Sequence, residues 1–141
     1  MERKNWYDHY HEAWHDIFQG NWELPGAGRR ASITMRDIKH LLDDSRLKRL
    51  SLRDIAWKGK HFFPYHCGEE CFCCRGRRYI TADTSYPGIV LHNAPNPYGN
   101  DYRMIDGKHR MMKLLLSGVT SSLFYVIEYD EVKDYVRRLD I

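Results

Sequence analysis

Trp6, Tyr10, Ala13, Trp14 and Ile17 recur at helical spacing through residues 5 to 18, with Gly20 behind them as a stop. They predict an amphipathic helix with an aromatic face. Residues 21 to 30, NWELPGAGRR, read as a loop from their Pro and Gly content. In SITMRDIKHLL, residues 32 to 42, Thr34 and Asp37 have the spacing of a capping box, and Ile38, Leu41 and Leu42 supply the buried face of the helix that follows. LSLRDIAW, residues 50 to 57, begins as an alternation of Leu and polar residues and predicts a strand.

Glycine, proline, cysteine and arginine break any sustained period between Lys58 and Thr84, which predicts loops with short elements. Beyond them the pattern sharpens. YPGIVLHN, residues 86 to 93, is a short apolar run between turn residues and predicts a buried strand; APNPYGND is a turn. YRMID, residues 102 to 106, reads as a strand. RMMKLLLSG reads as a helix of about two turns, with Met111, Met112, Leu114, Leu115 and Leu116 in the core and Gly118 as its C-terminal stop. SSLFYVI is a β-branched and aromatic strand. DEVKDYVRRLD closes the chain as a helix, with Val132, Val136 and Leu139 on one face and Arg137 and Arg138 near its end, where the helix dipole favours cations.

The length of 141 residues, the 43% apolar and the 13% aromatic content fit one globular domain over residues 1 to 141. Residues 1 to 28 read as an N-terminal helical extension, and 58 to 84 as a Cys/Arg-rich insertion. No stretch has the length or apolarity of a signal h-region or a bilayer span, so the sequence predicts a cytoplasmic protein. A formal charge of +3 is too modest to mark a nucleic-acid binder by itself. Local clusters remain: Arg29 and Arg30; Arg46, Lys48, Arg49 and Arg53; Arg75, Arg77 and Arg78.

The candidate chemistry concentrates at Asp106-Gly107-Lys108-His109-Arg110, between a predicted strand and a predicted helix. The first helical amides lack an i−4 carbonyl, Gly107 permits close backbone approach, Lys108 and Arg110 carry positive charge, and His109 can donate to an oxygen or move a proton. That combination suits a phosphate. A second constellation is Cys67, Cys71, Cys73 and Cys74, with His61 and His66 nearby. Zinc is possible there but not favoured, because all four thiols lie within eight residues instead of in two separated knuckles. The C-x3-C-x2-C spacing of Cys67, Cys71 and Cys74 also occurs in iron–sulfur loops whose chemistry needs a far larger barrel. His11 and His15 stand one turn apart and read as surface residues, and the second Gly-Lys-His, at 59 to 61, reads as a chance repeat.

The order PGIVLHN, turn, YRMIDGKHRMMKLLLSGVTSSLFYVI resembles the ParB/sulfiredoxin-like superfamily, in which a strand ends in a Gly-x-x-Arg loop followed by a helix, a glycine and a second strand. The resemblance covers about residues 87 to 127 and does not extend to 58 to 84. It implies a small α/β (α+β) fold, a mixed sheet flanked by helices, with the aromatic N-terminal helix added. It also implies that Gly107, Lys108, His109 and Arg110 contact a nucleotide phosphate, with ATP or another nucleotide and Mg²⁺ as the ligand. Asp106 would then orient His109 or help hold a metal-bound phosphate, and His109 and Asp106 are the catalytic candidates for phosphoryl transfer. Lys108 stands where sulfiredoxins keep their cysteine, which argues against sulfinic-acid reduction; no helix-turn-helix region follows the loop, which argues against centromere binding. The alternatives are a nucleic-acid-binding or nuclease-like protein that grips backbone phosphates, and a small host-interaction module similar to phage-encoded proteins, acting in an infected cell.

Overall fold

The computed structural model describes residues 19–57 and 84–140. The expected aromatic helix of residues 5 to 18, the four cysteines, His61, His66, Arg75, Arg77 and Arg78 lie outside the described residues. Within them the chain is a small α+β fold with two sheets and short helices. In chain order the elements are β1 (Gln19–Glu23), β2 (Arg29–Thr34), α1 (Met35–Ile38), β3 (Leu47–Ser51), β4 (Ile55–Ala56), β5 (Gly88–His92), β6 (Tyr102–Asp106), α2 (Lys108–Leu116), β7 (Ser121–Glu128), α3 (Tyr129–Val132) and β8 (Arg137–Asp140). Among the described residues no helix is long and apolar enough to cross a membrane.

One sheet is three-stranded, in the order β1-β2-β8 and antiparallel throughout; the other is five-stranded, in the order β3-β7-β5-β6-β4. In the larger sheet β5 is parallel to β7 and β4 to β6, while the other neighbours are antiparallel. Strands β3 and β4 stand at its two edges, yet only the 3₁₀ turn Leu52–Asp54 separates them. Four inter-strand gaps would span roughly 19 Å in a flat sheet, whereas the four steps from Ser51 to Ile55 reach at most about 14 Å. The sheet therefore curls until its edges approach each other.

Curling gives the sheet a concave and a convex side, and β5 serves both. Ile89 and Leu91 join Trp22, Ile33, Met35, Ile38, Ile105, Tyr125 and Ile127 in one core, where the three-stranded sheet packs. Val90 points the other way, into a core with Leu52, Ile55, Trp57, Met104, Phe124 and Val126 that Met111 and Met112 of α2 close. The two sheets meet closely at Gly20, where an added Cβ would stand 2.8 Å from Cβ of Ile105. Trp22 is fully buried and donates its indole N–H to Pro95 O at 3.0 Å.

A half-buried ion pair reinforces this joint. Arg103 of β6, 1% exposed, donates to Glu23 of β1 at 2.7 Å and to Ala56 O and Met104 O at 3.1 Å each, while Tyr98 lies 5.6 Å beneath its guanidinium. Burial pushes Arg103 down from its ordinary pKa, and the Glu23 charge opposes that push. Burial also raises Glu23, but its own backbone amide and Arg103 outweigh it, so the carboxyl settles below its ordinary value.

Several expectations need correction. Residues 21 to 30 are not one loop: β1 and β2 form a hairpin around residues 24 to 28, because Trp22 and Ala31 face each other across it and bury together. The presumed helical extension of residues 1 to 28 therefore contains a strand at Gln19–Glu23. The strand expected over 50 to 57 is broken at Leu52, whose N–H bonds Thr120 O at 2.9 Å while its side chain turns into the core. The closing helix is cut short: after Val132 and a 3₁₀ turn, the chain leaves as β8 to pair with β2, so Arg137 and Arg138 sit in a strand and Leu139 is 45% exposed. Leu116, expected in the core, is also 45% exposed, since the buried face of α2 is Arg110, Met111 and Met112.

The Glu23–Arg103 pair predicts an acid limb of stability. Because folding lowers the Glu23 pKa, the associated stability is present above the ordinary glutamate value of 4.5 and is lost as pH falls through the folded value. Chemical denaturation of wild type and Glu23→Gln across pH should show their largest difference near neutrality and convergence at acid pH.

Candidate functional site

Strand β6 carries an extra residue around Ile105, where its register against the Ile89/Val90 step of β5 shifts, and ends at Asp106. Gly107 follows at φ 111°, ψ 20°, a left-handed conformation that a side chain disfavours, and is the N-cap of α2. An added Cβ at Gly107 would lie 3.2 Å from Cα of Gly88 and 3.4 Å from Nη2 of Arg110. Two backbones thus meet glycine to glycine at the mouth of the loop. No side chain caps α2.

The expected site residues divide into two groups. Arg110 points inward and donates from Nη2 to Oδ2 of Asp106 at 2.6 Å; the two side chains are 7% and 6% exposed. Its Nη1 reaches Tyr86 O and Pro87 O at 3.5 Å, just before β5. Asp106 and Arg110, one helical turn apart, therefore clamp the strand end, the first turn of α2 and the start of β5 together. Lys108 and His109 occupy the same first turn and are half-buried. The carboxylate of Asp106 is thus engaged with Arg110, and the loop surface is formed by Gly107, Lys108 and His109.

Among the described residues the basic clusters do not gather around this loop in one piece. Arg29 and Arg30 lie in the three-stranded sheet, where Arg30 approaches Glu23 at 3.7 Å. Arg46 donates to both oxygens of Glu131, at 2.5 and 2.9 Å, an interaction that raises its pKa and lowers that of Glu131. Lys48 and Arg49 are exposed on the edge strand β3. Among the described residues no group of three or more His, Cys, Asp or Glu is arranged to hold a metal ion.

At the other end of β5 lies a pair that the sequence patterns did not single out. His92 and Glu128 are register partners at the carboxyl ends of parallel strands β5 and β7, with His92 Nδ1 at 2.9 Å from both Glu128 oxygens. The only signal in the sequence was a polar residue closing each of two apolar runs, which is equally the signature of a strand leaving the core. Gly88 was missed for a similar reason. Its role depends on Asp106 O, Phe124 and Gly107 coming close to it, and none of these is its neighbour in sequence.

No family model, no curated protein and no solved structure matches the chain.

Removing one partner of a buried ion pair leaves the other charge without compensation and costs roughly 3–5 kcal/mol, whereas replacing both is far cheaper. Asp106→Ala and Arg110→Met should therefore each lower unfolding free energy by about that much, and the double variant should lose much less than the sum. A urea double-mutant cycle measures the coupling.

Proposed function

We propose that the chain binds a nucleotide, or another phosphorylated molecule, at the start of α2. The observation that carries this reading is Gly107 in left-handed conformation opening a nine-residue helix whose first turn presents Lys108 and His109. Helix-start amides and the positive end of the helix dipole favour an anion, and a glycine there lets phosphate oxygens approach the backbone. Lys108 supplies a compact positive charge. His109 donates a hydrogen bond to a phosphate oxygen, or serves as the acid or base if the protein transfers the phosphoryl group. The element order strand, turn, strand, Gly-x-x-Arg, helix, Gly, strand, on which the resemblance to the ParB/sulfiredoxin-like superfamily rests, supports the same reading.

Within this proposal Arg110 and Asp106 take a different part from the one their sequence positions suggest. Their buried pair shapes the loop and supports the phosphate contacts from beneath, while the direct contacts fall to Gly107, Lys108 and His109. Phosphoryl transfer is the reaction class that suits such a site, because it requires mainly positioning and charge stabilisation. Mg²⁺ bound to the nucleotide would bring part of that stabilisation.

Titration calorimetry with ADP and ATP, with and without Mg²⁺, tests the reading. Saturable binding is expected, and Lys108→Ala should weaken it about tenfold, equivalent to roughly 1.4 kcal/mol. Absence of nucleotide binding, or an unchanged Kd in Lys108→Ala, would refute it. Binding to single-stranded nucleic acid alone, with affinity falling steeply as salt rises, would favour the nucleic-acid alternative instead.

A further inference from the structure

His92 is held in a way that fixes its chemistry. A carboxylate can only accept hydrogen bonds, so the 2.9 Å contacts to Glu128 require a proton on Nδ1. The amide of Asn93, at 3.3 Å from the same nitrogen, is the weaker neighbour. In the neutral imidazole Nε2 is then the nitrogen with a free lone pair, and among the described residues it makes no hydrogen bond. His92 is 29% exposed and Glu128 47%, so the pair is open to solvent.

Both partners are fixed from behind. Glu128 is the N-cap of α3 in a reciprocal capping box with Glu131, and Arg46 holds Glu131 in turn. The ring of Tyr102 stands 4.9 Å from that of His92, tilted by 33°. Asn93 has φ 65°, the sole non-glycine residue with positive φ among the described residues, and its N–H closes onto Asp101 O at 2.8 Å. That turn carries the chain away from the strand end. The loop it opens is braced by Asn96, which bonds Ala94 O and Tyr98 N, and by Trp22 on Pro95 O.

From β5 the chain turns toward β6, whereas from β7 it runs into α3 and on to the other sheet. The dyad stands at the carboxyl ends of these two neighbouring parallel strands, where the chain leaves the sheet in two directions. It lies at the far end of β5 from Gly107, roughly 13 Å away along the strand.

We propose that His92 and Glu128 form a second, proton-transfer site, separate from the phosphate loop, for a ligand that presents a hydroxyl group. The O–H of the ligand donates to Nε2; on activation its proton moves to Nε2 and leaves an alkoxide or phenoxide, and the imidazolium is stabilised by the Glu128 carboxylate, which stays unprotonated. The proton returns to the ligand or to water. Tyr102 offers an apolar wall for the body of the ligand. Arg46 is committed to Glu131, which leaves the Glu128 carboxylate to His92. His92 is the catalytic residue of this site and Glu128 its positioning residue.

Long-range ¹H–¹⁵N spectra and carbethoxylation by diethyl pyrocarbonate, read at His92 by mass spectrometry on the full chain, test the proposal. The expected results are an Nδ1–H tautomer at neutral pH and a modification rate above that of N-acetylhistidine. The rate should fall several-fold in Glu128→Gln, which keeps an oxygen acceptor for the capping box, and the Nδ1–H tautomer should lose its dominance in the same variant. Phenol should protect His92 from modification, and anisole, which lacks the O–H, should not. An Nε2–H tautomer, a rate no higher than N-acetylhistidine, no change in Glu128→Gln, or equal protection by anisole would overturn it. Because the readout is confined to His92, these outcomes are independent of whether nucleotide binds at Lys108.

Discussion

The buried pair between Asp106 and Arg110 is the constraint on which the arrangement of this protein turns. Two opposite charges, nearly excluded from water and 2.6 Å apart, must stay together, because separating them in that environment strands a charge. The pair spans one helical turn, so keeping it fixes how α2 leaves β6. Through Nη1 it also fixes where the chain begins β5, the strand that both cores share. Gly107 and Gly88 make the arrangement possible by letting the two backbones come to near contact.

From that fixed corner the curled sheet follows. Helix α2 crosses over β5 to reach β7, carrying Met111 and Met112 onto the core around Val90, and the short Leu52–Asp54 link draws the outer strands toward each other. The three-stranded sheet covers the other core and is joined to the larger sheet at Gly20, Trp22 and the Glu23–Arg103 pair. Strand β5 is thereby buried on both faces and tied on both edges, with its ends left as the places where chemistry can meet solvent. One end holds the glycine loop with Lys108 and His109; the other holds His92 and Glu128. Strand β5 thus has a different set of polar side chains near each of its ends.

The part of the fold that was legible in the sequence is the part whose elements are long enough to show a period and are bounded by turn residues. Residues 86 to 128 gave two strands, a helix and a further strand in the observed order, because the apolar runs of β5, β6 and β7 are continuous and Gly107 and Gly118 punctuate them. Elsewhere tertiary pairing overrode local pattern. Trp22 opposite Ala31 made a hairpin of a Pro/Gly-rich stretch, and pairing with β2 drew Arg137 to Asp140 out of a helical spacing. The capping box expected at Thr34 and Asp37 is absent as a side-chain bond, while a reciprocal one forms at Glu128 and Glu131, where glutamate replaces the usual Ser or Thr cap. In the candidate site, the pattern located the loop but could not distinguish a cation facing a ligand from one facing an aspartate. That depends on which side of α2 meets the core, and Arg110 lies beside Met111 and Met112 on the buried side.

The central claim is that the anion-binding surface is the start of α2, shaped from beneath by Asp106 and Arg110. Backbone amide chemical shifts of the ¹⁵N-labelled chain, followed during titration with Mg²⁺-ADP, test it most directly. The account predicts saturable shifts centred on the amides of Gly107, Lys108 and His109, with the amides of His92 and Glu128 nearly unmoved. Shifts centred instead on the exposed arginines of β2, β3 or β8, or no saturable shift at any amide, would contradict it.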